Sequence, residues 1–372
     1  MNRENLCAEE RLPLGLRALY RSYGYEIYRM NHFEPYDLYR ENRNFLNQGR
    51  LLTFTDGNGR LMALRPDVTI SIVKETKAEQ ASRKLFYSEH LFRRQKGAEQ
   101  LTEIKQMGLE FIGAGPGYGE AEVAALALQS LEAAAILAGP PGEAREYFLS
   151  ISQMDYVGAL LTEFPDQEGL RQRLAEAIRR KSASDIRLAL GELPVEERLL
   201  QAIYQLISLP PEPQESLAML AKISVNPAMD QAVQALAQLL AALAAWEMPL
   251  KLRIDLSLLN DFDYYNGLIF QGYIQGLPRP VLSGGRYDNM LRRFNKPQPA
   301  IGFALYLSEL RPLFRQCPDE ELDVLLLYGE ASPAETARAV RRLTAQGLSV
   351  RAEAAPLPGL KARRIMDLGE DC

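Results

Sequence analysis

Residues 152–245 constrain the fold more than any other stretch of this chain. They hold almost no β-rich runs and many helix-compatible ones, broken at Pro165, Pro194, the Pro210-Pro211-Glu212-Pro213 stretch and Pro227. Strand-like segments lie on both sides, so the stretch reads as a helical insertion. At 372 residues the chain has room for two or three domains of roughly 100–200 residues each.

Before the insertion, Leu12, Leu14, Leu16, Leu19 and Tyr20 carry a helical rhythm that ends at Gly24, and Tyr25–Tyr28 reads as a strand. Residues 51–65 predict a hairpin turning at Asp56-Gly57-Asn58-Gly59, since both dipeptides tolerate positive φ. Pro66 is expected to open a helix that runs through Val73. Lys84–Leu91 and Leu109–Ile112 read as strands with a polar loop, Arg94–Gln100, between them, and Ala121–Ala138 reads as a long Ala/Leu helix.

After the insertion, strand character returns at Leu250–Leu256, Tyr264–Tyr273 and Val281-Leu282. The polar segment Gln316–Glu321 marks a boundary. Beyond it, Val324–Tyr328, Pro333–Gln346 and Leu348–Ala352 form a βαβ-like unit. The expected class is α+β with a mostly antiparallel sheet, because hairpins outnumber helix crossovers. The expected domains are 1–316 and 317–372.

Hydrophobic residues at 47% and charged residues at 24% describe an ordinary globular protein. The net charge of −5 lowers the expectation of nucleic-acid binding, which draws affinity from phosphate neutralisation. Three widely spaced cysteines, Cys7, Cys317 and Cys372, suggest neither a disulfide framework nor a metal site, and the only histidines are His32 and His90. The polar N-terminus lacks an apolar signal segment, and Leu236–Ala245 is too short to span a bilayer. A cytoplasmic location with no membrane association is expected.

Five segments carry chemistry when taken together. They are Gly24-Tyr25-Glu26-Ile27 with Phe33-Glu34; Ala63-Leu64-Arg65-Pro66-Asp67-Val68-Thr69; Gln106-Met107-Gly108-Leu109-Glu110; Asp263-Tyr264-Tyr265-Asn266-Gly267; and Gly284-Gly285-Arg286-Tyr287-Asp288 with Pro299-Ala300-Ile301-Gly302-Phe303. In this order they resemble the class II aminoacyl-tRNA synthetase core, specifically histidyl-tRNA synthetase, over roughly residues 10–310. Met30-Asn31 depart from the pattern where a proline is usual.

The resemblance implies a histidine-type pocket. Asp67 and Thr69 could accept an α-ammonium, and Gln106, Glu110, Tyr264, Tyr265 and Tyr287 could supply polar partners and an aromatic wall for an imidazole. Gly284 and Gly285 would let backbone approach the ligand. The competing view makes the tyrosines sheet-packing residues and Glu110 a solvated strand residue.

Phosphate-handling residues of that family are missing. Arg93 can serve as one anion contact, but Glu99-Gln100-Leu101-Thr102-Glu103-Ile104 replaces a segment with two arginines. Asn260 and Glu309 stand where further arginines are expected. Loss of one such clamp costs roughly 3 kcal/mol or more of transition-state stabilisation. The C-terminal segment is short for an anticodon-binding domain, and its charge is balanced, with seven Lys/Arg against seven Asp/Glu over Leu322–Cys372.

A synthetase core altered in this way resembles the regulatory subunits of short-form ATP phosphoribosyltransferase. That resemblance implies a non-catalytic subunit without cofactor, metal or tRNA. It implies a homodimer that joins catalytic subunits in a hetero-octamer and mediates histidine feedback, with histidine itself a candidate ligand. The alternative is an active or degraded histidyl-tRNA synthetase.

Overall fold

The computed structural model describes residues 6–41, 51–77, 82–94, 101–140, 142–165, 167, 169–259, 264–314 and 322–368. Contacts divide the chain into two compact units. One is Leu12–Leu313; the other joins Met1–Arg11 to Phe314–Cys372.

In chain order the elements up to Leu313 begin with α1 (Ala8–Ser22), β1 (Glu26–Ile27), β2 (Phe33–Pro35), α2 (Tyr36–Glu41), β3 (Leu52–Thr55), β4 (Leu61–Leu64) and α3 (Thr69–Glu75). They continue with β5 (Arg83–Arg94), β6 (Leu101–Ile112), α4 (Tyr118–Ala138) and β7 (Tyr147–Gln153). Then come α5 (Met154–Thr162), α6 (Leu170–Arg179), α7 (Ala183–Leu190), α8 (Glu197–Leu206), α9 (Pro213–Ile223) and α10 (Pro227–Ala244). The series closes with β8 (Leu252–Ile254), β9 (Leu268–Ile274), β10 (Leu282–Arg286), α11 (Asp288–Arg293), β11 (Ala300–Tyr306) and α12 (Leu307–Leu310).

Eight of these strands form one sheet in the order β1-β5-β6-β11-β10-β9-β7-β8. Its interior pairs are antiparallel, and the outermost pair at each side, β1 with β5 and β7 with β8, is parallel. The α+β reading with a mostly antiparallel sheet therefore holds. Helices α5–α10 fill the stretch read as an insertion, so the chain leaves the sheet after β7 and returns to it at β8. Helix α4 is apolar and long enough to cross a membrane, yet 72% of its most hydrophobic window is buried, as in a core helix. Its leucines meet the sheet closely: a Cβ added at Gly272 would lie 2.6 Å from Leu131 Cδ1.

Several boundaries differ from expectation, each for a local reason. Helix α3 starts at Thr69 rather than Pro66, because Asp67 Oδ1 accepts the Ile70 backbone N–H at 3.1 Å and fixes the first turn there. Strands β5 and β6 are 12 residues each and pair from Arg83–Ile112 to Arg94–Leu101. Polar residues on β6, such as Glu103, Lys105 and Gln106, hide that length from an apolar-run search. Strand β9 begins only at Leu268, after Gly267 at φ 63° interrupts the extended backbone. Strand β7 was not anticipated.

In the smaller unit, β12 (Leu322–Leu327), α13 (Pro333–Ala345), β13 (Val350–Glu353) and β14 (Ala362–Asp367) build a parallel sheet ordered β13-β12-β14. Ser332 and Glu335 form a reciprocal capping box at the start of α13. Val324 and Leu326 pack on Ala339 and Leu343. Strand β14, largely exposed and carrying Arg363 and Arg364, escapes a hydrophobicity-based reading. Cys7 is disulfide-bonded, against the expectation from cysteine spacing; proximity in the fold, which spacing does not encode, decides that.

One buried cation ties the site region together. Arg65, fully buried, donates from Nε to the His90 carbonyl at 2.8 Å and from Nη1 to the Met30 and Asn31 carbonyls, both at 3.1 Å. Its Nη2 contacts His32 Nδ1 and forms an ion pair with Glu89. It thus joins the segment before β2 to β5 and anchors the turn that enters α3. Removing one member of such a buried pair strands the other and costs roughly 3–5 kcal/mol. Arg65→Met is expected to lose stability of that size in urea unfolding. A loss below about 1 kcal/mol, the scale of an ordinary substitution, would show that Arg65 is not a staple.

Candidate functional site

Alternation along β6 places Gln106, Gly108 and Glu110 on one face. Across the ladders Glu110 pairs with Gly302, Gly108 with Ala304 and Tyr87, and Gln106 with Tyr306. The turn after β4 brings Asp67 and Thr69 to the same place, and the β10–α11 corner brings Tyr287. With Tyr264, Tyr265, Ser283 and Phe303 these residues line one cavity of about 60 Å³. That is well below the roughly 300–1,000 Å³ of ordinary ligand clefts, so an amino acid can enter only if the walls move apart. Tyr264, Tyr265 and Tyr306 are the half-buried aromatic walls, the first two with ring centroids 4.4 Å apart.

Glu110 sits at the centre and is 2% exposed, so the solvated-strand alternative does not hold. Thr69 Oγ1 donates to its Oε1 and Tyr287 Oη to its Oε2, each at 2.7 Å. A Cβ at position 302 would stand 1.8 Å from Glu110 Oε2, so only glycine leaves room for this carboxyl. Burial pushes the Glu110 carboxyl up to about 8, the Tyr287 and Thr69 hydrogen bonds pull it down, and Asp67 pushes it further up. Burial, with Glu110 nearby, also holds the hydroxyls of Tyr87, Tyr264, Tyr265 and Tyr287 protonated, and Asp67 adds to this at the first three. The arrangement can offer a proton-sharing carboxyl, a second carboxylate and a wall of hydroxyl-bearing rings.

The structure thus brings together Asp67, Thr69, Gln106, Glu110, Tyr264, Tyr265 and Tyr287. It does not place Gly284 and Gly285 against the cavity. A Cβ at Gly284 would meet Gly302 O and Phe303 Cβ at 2.5 Å, and one at Gly285 would meet Ile269 Cγ2 at 2.7 Å. These glycines allow close strand packing, not ligand approach. Arg286 is occupied: it pairs with Glu120 and Asp288, both at 2.9 Å. Glu309 is exposed on α12 and is not among the described lining residues. Asn260 and Asp263 lie outside the described residues, as does the side chain of Arg93.

Sequence reading missed Tyr87, Ser283, Gly302, Phe303, Ala304 and Tyr306 as lining residues. Period-two alternation from Glu110, combined with the β5–β6 and β6–β11 registers, would have found Tyr87 and Tyr306. Among the described residues no group of three or more His, Cys, Asp or Glu is placed to hold a metal.

Comparison with known proteins places this geometry in a family. The Histidyl-tRNA synthetase family model matches residues 3–310. An ATP phosphoribosyltransferase regulatory subunit from Moorella thermoacetica is 31% identical over 348 residues, covering 89% of this chain and 80% of that protein. The chain belongs to the ATP phosphoribosyltransferase regulatory subunits. It is a regulatory protein of histidine biosynthesis built on a synthetase-like core. The crystal structure of an ATP phosphoribosyltransferase regulatory subunit/histidyl-tRNA synthetase from Bacillus halodurans shares the fold at TM-score 0.81 and 22% identity, covering 97% of this chain and 93% of that one. A chain of the ATP phosphoribosyl transferase (HisG:HisZ) complex from Thermotoga maritima does so at TM-score 0.61 and 19% identity, covering 80% and 97%.

The Glu110 environment sets a pH dependence. Because its folded value, about 8, exceeds the ordinary glutamate value of 4.5, the folded state keeps a proton that the unfolded state releases between those limits. Stability therefore falls as pH rises through that window. Glu110→Gln mimics the protonated form and escapes this loss. Its stability relative to wild type should grow by up to about 1.4 kcal/mol per pH unit between pH 5 and 8. Denaturation curves whose difference stays flat across that range would contradict the assignment.

Proposed function

We propose that this chain is a non-catalytic cytoplasmic subunit that switches on a short-form ATP phosphoribosyltransferase catalytic subunit and conveys histidine feedback to it. The observation that carries this is the retained polar cavity. Glu110 is buried at 2% exposure and burial raises its carboxyl to about 8, so it stands beside Asp67, Thr69 and the tyrosine hydroxyls as a group able to share a proton with a basic ligand. Asp67 and Thr69 would receive the α-ammonium. Glu110, Gln106 and the tyrosine wall would receive the imidazole.

Histidine held here has no route to adenylation, because Asn260, Glu309 and the 99–104 segment replace phosphate-clamping arginines. Ligand energy then goes only into binding, and binding that differs between two assembly states shifts their balance. The partner is supported by the similarity to the regulatory chains and to a chain of the Thermotoga maritima complex. A two-fold homodimer joining catalytic subunits in a hetero-octamer, with no tRNA bound, completes the proposal.

The test mixes the purified chain with a short-form catalytic subunit. Phosphoribosyl transfer should rise on mixing, histidine should inhibit the mixture, and Glu110→Gln should raise the inhibitory histidine concentration about tenfold. ATP–pyrophosphate exchange with histidine should stay at the no-enzyme background. Exchange clearly above background would favour the synthetase reading. Unchanged histidine inhibition in an intact Glu110→Gln complex would place the feedback site elsewhere.

A further inference from the structure

A second polar centre lies where the chain leaves Tyr264 and Tyr265. Met154 N donates to the Gly267 carbonyl at 2.8 Å, Gly267 N donates to Asp155 Oδ1 at 3.2 Å, and Asn266 N donates to the Arg286 carbonyl at 3.0 Å. The side of Gly267 where a Cβ would project faces Gln153 Oε1 at 3.5 Å, Asp155 Oδ2 at 3.6 Å and Arg286 Cδ at 3.4 Å. Any side chain there would fill the space between those oxygens.

Gln153 is 7% exposed, and its Oε1 is buried and accepts no hydrogen bond. Asn266 Oδ1 is likewise buried without a donor. Its amide orientation is fixed, because Asn266 Nδ2 donates to Asp288 Oδ2 at 3.3 Å and the flipped form would set oxygen against carboxylate. Buried acceptors without donors are rare and costly. Among the described residues the charges around them do not cancel: Asp288 and Glu120 share the guanidinium of Arg286, and Asp155, exposed on its outer side, adds a third carboxyl. A water would supply donors but leave that imbalance.

We propose that Gln153 Oε1 and Asp155 Oδ2 hold a hard divalent cation beside Gly267, with Asn266 Oδ1 as a further oxygen donor. An all-oxygen set with one direct carboxylate and amide carbonyls suits calcium or magnesium rather than softer metals. No sequence motif announces it, since the donors come from β7, the first turn of α5 and Asn266, far along the chain.

The centre also bears on the tyrosine cavity. Asn266 and Gly267 directly follow Tyr264 and Tyr265, while Arg286 and Asp288 flank Tyr287, which donates to Glu110. A bound cation would brace the backbone on which three cavity tyrosines stand. The site does not depend on what the cavity binds.

The test uses the full chain after chelator treatment. Calcium or magnesium chloride at millimolar concentration should raise Tm by about 3 °C or more over potassium chloride of matched ionic strength. Terbium luminescence should appear on binding and be displaced by calcium. Asp155→Asn, which keeps the acceptor for Gly267 N, and Gln153→Met should each abolish both responses. The proposal is overturned if neither divalent ion exceeds the potassium control, or if both responses survive the two substitutions. It is equally overturned if Gln153→Met raises Tm in metal-free buffer while the wild type ignores metal, which would mean that the carbonyl is merely unsatisfied.

Discussion

The carboxyl of Glu110 is buried within an eight-stranded sheet, where an unsatisfied polar group costs several times what a surface one does. Both of its oxygens are therefore taken, one by the Thr69 hydroxyl and one by the Tyr287 hydroxyl. Those two bonds fix the start of α3 and the corner between β10 and α11 against β6. The glycine opposite, Gly302, is the only residue that leaves the carboxyl its place. The cavity is a consequence of satisfying one acid, and its shape follows from the three elements that do so.

The supporting layers follow the same logic. Val68, Ile70, Ile72 and Val73 of the α3 region pack in one core cluster with Tyr287, Met290, Leu291 and Ala300, so the donors to Glu110 rest on shared apolar packing. Arg65 sets the entry to α3 by binding carbonyls on both flanking segments. Asp288 accepts from Arg286 Nε at 2.9 Å and from the Ala300 N–H at 2.8 Å, which fixes Tyr287 from the residues on either side of it. The polar groups of the cavity are thus held by packing and by hydrogen bonds from three separate elements of the synthetase-like core.

Much of this was legible in the sequence. The helical stretch at 152–245, the hairpin at Asp56-Gly57 and the βαβ unit after residue 322 all follow from local periodicity and turn chemistry. The seven polar residues that meet at the cavity were legible through ordered motifs. What periodicity could not give was the reason for each glycine: Gly284 and Gly285 serve strand packing, and Gly302 serves a carboxyl on a neighbouring strand. Nor could it show that Arg65 is wholly buried, or that β7 and β14 exist. A charged residue reads as a surface residue until its partners are known, and short strands with serines or arginines do not stand out by hydrophobicity. The acceptors at Gln153 and Asn266 were invisible for a related reason, because amides carry no spacing rule.

Histidine binding as proposed rests on Glu110 meeting the imidazole. At neutral pH a carboxyl raised to about 8 is mostly protonated, and an imidazole with a value near 6.5 is mostly neutral. If the two meet, the pair shares about one proton, so binding should exchange little with solvent. Calorimetric titration of histidine into the isolated chain, in buffers of different ionisation enthalpy, reads this directly. The expected result is the same binding enthalpy in every buffer, with affinity about tenfold weaker in Glu110→Gln, or roughly 1.4 kcal/mol. Equal affinity in the two proteins, or a binding enthalpy that tracks the buffer, would contradict it.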